Sequence, residues 1–340
     1  MLGNIYKAAI LAAVIVILTG YDYNSESDHK ARASQPAKMA VWLAYWDLES
    51  GEHDLAEMGS NLAQISYFGA YFDQDDRVFL PKEVSDKQRQ IKKKRPAETY
   101  LTFVNDRRNC EGKTALKDTE VLGRVFSNKE SMNAHINEII ALTLQGGFDG
   151  IEIDYERIWK DPEISQAFLK FVGKLYTEAR KSNLRLRLVL EPSTPFSAIE
   201  FPKGPEYVVM CYNLYGLHSD PGPKANKEFI HKTLIRMKVL PGEISAAFSA
   251  GGCRWGDNGT KSFLTEDEAK NLAQAHNAAV RRDEESQCLV FEYKDGEISY
   301  QVWYADVMTL NHWIAIAKEH GVNNISLWRL GGNVDIYNIG

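Results

Sequence analysis

The chain has 340 residues, a formal net charge of −6, 44% hydrophobic residues and 25% charged residues. That is the balance of a globular protein long enough to bury a core without disulfides or metal, and its negative charge argues against nucleic acid, whose phosphates select basic surfaces. No Cys or His cluster has metal-ligand spacing, so neither a metal nor another cofactor is expected.

At the N-terminus, Lys7 precedes an apolar run from Ala8 to Leu18, closed by Thr19 and Gly20. Residues 1–20 read as a signal peptide or an uncleaved N-terminal anchor, too short for a comfortable membrane span. A lipoprotein signal would need Cys next, and the next residue is Tyr21. Residues 21–37 are polar and poor in large apolar side chains, which reads as a disordered spacer. The expected location is outside the cytoplasm (secreted, periplasmic or at the cell surface), with membrane contact only through this segment if it stays uncleaved.

From residue 38 to 340, short β-branched and aromatic runs alternate with helical patterns, the rhythm of βα units. Strands are expected at Ala40–Asp47, Gln64–Phe72, Thr99–Asn105, Gly150–Tyr155, Arg185–Leu190, Tyr207–Tyr212, Glu243–Phe248 and Asn324–Leu330. Eight is the number that closes a parallel barrel, so the expected fold is α/β, a (β/α)8 TIM barrel. The basic run Lys92 to Arg95 reads as the solvated end of a helix stopped by Pro96. One helix is expected from about Asn128 to Gln145, ending at Gly146-Gly147. Another starts at Asp161-Pro162 and carries the apolar stripe Ile164, Phe168, Phe171, Val172, Leu175 and Ala179. The span from about 253 to 301 breaks the rhythm with a helix, Thr265 to Val280, and a hairpin turned by Lys294-Asp295-Gly296. It reads as a small α+β insertion between strands seven and eight. A last helix runs from Asp306 to His320.

Export would permit disulfides among Cys110, Cys211, Cys253 and Cys288. Cys211 sits in an apolar strand as a core residue, and Cys253 with Cys288 is the favoured pair, connectivity being left open.

The most informative segment runs from Gly147 to Glu156. Residues two apart on a strand share a face, so Glu152, Asp154 and Glu156 point one way and Ile151, Ile153 and Tyr155 the other. Three stacked carboxylates inside a barrel are a poor structural choice and point to chemistry.

These residues resemble the signature of glycoside hydrolase family 18, the chitinase family: Asp-x-x-Asp-x-Asp-x-Glu on the fourth strand. Asp149, Glu152, Asp154 and Glu156 occupy its four positions, with Glu152 where the family has Asp. Met210-Cys211-Tyr212-Asn213 is similar to the family's Met-x-Tyr-Asp, with Asn213 in place of Asp, and Ile325 to Gly331 resembles the strand that supplies its subsite-floor tryptophan. Pro221-Gly222-Pro223, Val302 to Asp306 and Trp328 to Gly331 resemble the branch of spore-cortex and cell-wall hydrolases, without visible LysM modules.

The resemblance implies a retaining, substrate-assisted hydrolase of glycans containing β-linked N-acetylglucosamine, with peptidoglycan first, then chitin or the N-glycan core. Glu156 would be the acid, Asp154 would orient the acetamide, Tyr212 would donate to its oxygen, and Asp149, Glu152 and Asn213 would support them. Trp328 would floor the reacting sugar. Tyr45, Trp46 and Trp303 are further candidate subsite aromatics, with Tyr67 divided between core and subsite. Tyr304 and Asp306 could flank the cleft from the insertion, and His218 and Asp220 could touch substrate. Glu191 is either a substrate contact or a partner for Arg185 or Arg187. Two rivals remain. One is a catalytically weak or inactive carbohydrate-binding protein, suggested by Asn213 and Glu152. The other is a two-carboxylate glycosidase, which the acid-free end of strand seven, Ala246 to Gly251, argues against.

Overall fold

The computed structural model describes residues 37–58, 62–94, 97–108 and 114–340. The N-terminal signal or anchor, nearly all of the spacer, Arg95, Pro96 and Cys110 lie outside the described residues.

Eight strands, numbered β1 to β8 in chain order, pair in parallel and close on themselves. They are β1 (Lys38–Ala44), β2 (Leu62–Phe72), β3 (Glu98–Arg108), β4 (Gly150–Asp154), β5 (Arg185–Leu190), β6 (Glu206–Met210), β7 (Ile244–Ser249) and β8 (Asn324–Trp328). Strand β8 closes the ring by pairing with β1, Lys38 opposite Asn324. This is the expected (β/α)8 barrel. Its β5–β6 connection departs from the pattern: it carries only a single helical turn at Phe196–Ala198.

The helices are α1 (Leu48–Glu57), α2 (Lys82–Lys94), α3 (Thr119–Val125), α4 (Lys129–Gly146), α5 (Pro162–Lys181), α6 (Lys227–Met237), α7 (Glu266–Ala275) and α8 (Val307–Glu319). Their ends follow local chemistry. Asp161 accepts from the N–H groups of Glu163 and Ile164 ahead of Pro162, which starts α5. Asn128 and Ser131 cap α4 reciprocally, and Gly147 ends it at φ 76°, a left-handed value that glycine adopts freely. Ile151, Ile153 and Tyr155 are buried beneath α4 and α5, where the Tyr155 hydroxyl meets His135 Nε2 at 2.8 Å.

Between β7 and β8 the chain forms a five-stranded antiparallel sheet: Gly251–Gly256, Lys261–Leu264, Arg281–Arg282, Leu289–Asp295 and Ile298–Ala305. Helix α7 covers one face of it with Ala269 and Ala273 against Phe291, Val302 and Tyr304. The insertion helix is shorter than the expected Thr265 to Val280, because the chain leaves it at His276 to form the edge strand Arg281–Arg282.

Cys253 and Cys288 are free and buried, which corrects the favoured disulfide. Cys253 lies opposite Trp303, and Trp303 opposite Val290, so two strand spacings separate Cys253 from the strand that follows Cys288. That is roughly 9–10 Å, beyond disulfide reach.

The barrel interior holds a charged layer where apolar filling is the norm. Arg187 of β5 is 1% exposed and Glu152 of β4 is wholly buried, with 3.1 Å between them. Arg187 also reaches Glu206 at 3.3 Å, Ser66 at 3.1 Å and Ser326 at 2.9 Å. Glu152 accepts further bonds from Trp42, Ser66 and Thr102. A buried charge pair is stabilised by hydrogen bonds to its remaining capacity; those of Glu152 come from Trp42, Ser66 and Thr102, while Arg187 Nε, 3.3 Å from Glu206, makes no hydrogen bond.

Candidate active site

Above that layer, at the C-terminal ends of the strands, opens a cleft of about 760 Å³. Barrel enzymes place their chemistry at this end. Asp154, Glu156, Tyr212 and Asn213 line it together with Tyr45, Trp46 and Trp328. The period of a β-strand brings Glu152, Asp154 and Glu156 to one face at successive heights: Glu152 inside the barrel, Asp154 at its mouth, Glu156 at the rim.

The backbone of Glu156 is fixed by Asn105 at the end of β3. Asn105 Oδ1 accepts from the Glu156 N–H at 2.9 Å, and Asn105 Nδ2 donates to the Glu156 carbonyl at 3.1 Å. The Glu156 carboxylate pairs with Lys117, whose own N–H donates to Asp106 at 2.7 Å. Burial raises the Glu156 carboxyl, Lys117 works against it, Glu191 and Asp106 add to it, and the net lies above the ordinary carboxylate range. Asp154 is raised well above its ordinary value, by burial first and then by the charge of Glu156. Its buried Oδ1 has no hydrogen-bond partner. Tyr212 is likewise pushed up, by burial and then by Asp154 and Glu156, so its hydroxyl keeps its proton.

The cleft floor is aromatic. Trp328 meets Phe68 edge-on at 4.8 Å and Trp42 at 5.9 Å, and Trp46, 52% exposed, meets Phe68 at 5.7 Å. Asn213 adopts φ 70°, a left-handed conformation that Asn tolerates better than most residues.

Several expected residues fall elsewhere. Asp149 sits before β4, at the opposite end of the strand from Glu156. It bonds Lys92 at 2.5 Å and accepts from the N–H and hydroxyl of Thr99, each at 2.9 Å. Burial alone would raise its carboxyl, but Lys92 and Thr99 bring it below the ordinary value. It joins β3 to β4 and makes no wall of the cleft, and Lys92 serves this ion pair instead of being a purely solvated lysine. Trp303 does not line the cleft; its ring packs on the barrel core, on the opposite sheet face from Tyr304. Asp306 caps α8 and pairs with Arg282 at 2.6 Å.

Glu191 stands behind the cleft wall and accepts from the Arg157 N–H at 2.8 Å. Neither arginine is its partner, since Arg185 pairs with Glu98 and Arg187 with Glu152 and Glu206. His218 and Asp220 are exposed outside the cleft, and Tyr67 is core. Sequence reasoning missed Asn105, Asp106, Lys117 and Arg187. Asn105 stands at the C-terminal end of an expected strand, a signal that could have been used. Lys117 had none, because its loop reaches Glu156 only through the fold.

A sequence model described as "Glycosyl hydrolases family 18" matches residues 41–333. The chain belongs to glycosyl hydrolase family 18. It is a glycoside hydrolase of that family, built on the family's barrel. It is similar to the uncharacterized glycosylase YvbX of Bacillus subtilis, 23% identical over 236 residues that cover 65% of this chain and 68% of that protein. The cortical fragment-lytic enzyme of the same organism is 23% identical over 239 residues, covering 63% of this chain and 54% of that relative, so the chain spans about half its length. The crystal structure of the spore cortex-lytic enzyme SleL of Bacillus cereus superposes with a TM-score of 0.72 at 19% identity, over 89% of this chain and 73% of that one, a likeness of fold.

Proposed function

We propose that this family 18 enzyme cleaves β-linked N-acetylglucosamine glycans with retention, using the substrate's own acetamide as nucleophile, and that peptidoglycan is its main substrate. The observation that carries the reading is the buried, unpartnered Oδ1 of Asp154 beside Glu156 and Tyr212. A buried carboxylate oxygen without a donor is costly, and an acetamide N–H supplies one.

Glu156, held above the ordinary carboxylate range, protonates the leaving glycosidic oxygen as the acetamide oxygen attacks the anomeric carbon. The C–O bond breaks, the leaving sugar departs as an alcohol, and an oxazolinium ring forms. Asp154 holds the acetamide N–H and opposes the positive charge that develops there. Tyr212, which keeps its proton, donates to the acetamide oxygen. Glu156, now a carboxylate, takes a proton from the water that opens the ring. Trp328 supplies an apolar face beneath the sugar. Likeness to a cortical fragment-lytic enzyme favours cell-wall glycan, and the apolar run Ala8 to Leu18 suits export to it.

A second reading, glycan binding with little turnover, is favoured by one observation: Lys117 occupies the Glu156 carboxylate. Turnover of peptidoglycan and of chitin oligosaccharides, with and without a thiazoline mimic of the oxazolinium ion, separates the two. Release of reducing ends that the thiazoline blocks supports the proposal. Tight binding with no release at any pH supports the second reading. Glu156→Gln should lower kcat by about 10²–10⁴-fold while oligosaccharide binding persists; unchanged kcat would remove Glu156 as the acid.

A further inference from the structure

Of the described cations that line the cleft, Arg108 donates to the Tyr45 hydroxyl, Lys117 pairs with Glu156 and Arg329 with Asp47, which leaves Lys224. Lys224 follows Pro221-Gly222-Pro223 in the loop after β6 and lines the cleft wall. It is 7% exposed, and among the described residues its ammonium has neither a hydrogen-bond nor an ion-pair partner. A largely buried lysine without a counter-charge is rare, and the ammonium of this one keeps contact with the open cleft. The ionisable groups that act on it are the thiols of Cys253 and Cys288. Both thiols are held above their ordinary range by burial, Cys288 at about 12, and so carry no charge near neutrality.

The carboxylates on this wall are already engaged. Glu266 pairs with Lys270 at 2.7 Å and accepts from the Val334 N–H, while Glu268 accepts from the Thr265 N–H. The loop holds Lys224 in place. Its carbonyl accepts from the Leu214 N–H at 2.9 Å, and Gly222 leaves no room for a side chain, since a Cβ there would stand 2.5 Å from the Tyr215 ring. Beside the ammonium, 4.8 Å from ring centroid to Nζ, lies Phe263, a cleft residue that is 61% exposed.

We propose that Lys224 and Phe263 form a receptor for a carboxylate carried by the bound glycan, the ring packing on the sugar and the ammonium pairing with the acid. This rests on the proposed function and narrows it: the receptor selects carboxylate-bearing glycans of the peptidoglycan type over neutral chitin. Burial lowers the Lys224 ammonium, and a bound carboxylate would act in the opposite direction by favouring its charged form. The carboxylate has two possible sources, the lactyl group of a peptide-free strand or the stem peptide.

The test is calorimetric binding to Glu156→Gln protein, which does not depend on turnover. The ligands are peptide-free peptidoglycan tetrasaccharide, its carboxyl methyl ester, the peptide-bearing tetrasaccharide, and a chitin tetrasaccharide. With Lys224 present, the free acid, the peptide-bearing form or both should bind about ten- to a hundredfold tighter than the ester, the range of a charge-assisted bond. Whichever acid is preferred identifies the source. Lys224→Met should abolish that ratio and Lys224→Arg should keep part of it, and thermal melting should show both variants folded. A ratio unchanged in Lys224→Met, equal weakening of every ligand, or no acid preference at the outset would overturn the receptor. Chitin binding without acid preference would leave the proposed function standing. Failure to bind any glycan would overturn both.

Discussion

Replacing Arg187 by Met tests whether the charged layer inside the barrel supports the fold beneath the site. Arg187 is the cation opposite wholly buried Glu152, at 3.1 Å, and also pairs with Glu206 at 3.3 Å. Met keeps much of the volume but leaves Glu152 with hydrogen bonds from Trp42, Ser66 and Thr102 and no opposing charge. Stranding one member of a buried pair costs about 3–5 kcal/mol. At roughly 2 °C per kcal/mol for a domain of this size, Tm should fall by about 6–10 °C. Circular dichroism melts at pH 8 measure the loss, and Glu152→Gln placed in the same chain should recover part of the Tm. A loss below about 1 kcal/mol at pH 8, or no recovery in the double variant, would refute the view that Arg187 compensates Glu152.

Lys117→Ala should move the basic limb of kcat/KM to higher pH. With Glu156 as the proposed acid, activity falls as pH rises through its titration, and Lys117 is what pulls that titration down; a pH–rate profile with the limb unmoved or lowered counts against the ion pair. Asn105→Ala removes both hydrogen bonds that hold the Glu156 backbone, so kcat should drop about tenfold with KM little changed; the reverse pattern in steady-state kinetics would place Asn105 in binding. His135 is buried and lowered to about 3, so it stays neutral in the fold while the unfolded chain takes up a proton below about pH 6.5. Its share of stability is therefore complete above pH 6.5 and lost toward pH 3, on the order of 5 kcal/mol in all. His135→Phe should flatten urea-derived stability over that window, and an unchanged slope would exclude His135 as its source.

The amino-acid sequence by itself determined the eight-strand rhythm, the cap at Asp161, the helix from about Asn128, the insertion before β8, and the alignment of Glu152, Asp154 and Glu156. All of these follow from periods of two or 3.6 residues and from short-range capping, which lie within a few positions of each other. Resemblance to the family's motifs singled out Tyr212, Asn213 and Trp328, and all three line the cleft. Only the tertiary structure decided what those carboxylates face. Arg187 meets Glu152 from the register position beside it on the adjacent strand, Lys117 reaches Glu156 from a loop 39 positions earlier, and Asn105 brackets the same glutamate from a neighbouring strand. The same long-range pairing moved Asp149, Glu191 and Trp303 out of the cleft, since closing a barrel fixes which end and which face each residue takes. Sequence spacing carries the chemistry of a strand; the charge that balances a buried carboxylate is chosen by whichever strand or loop the closed barrel brings beside it.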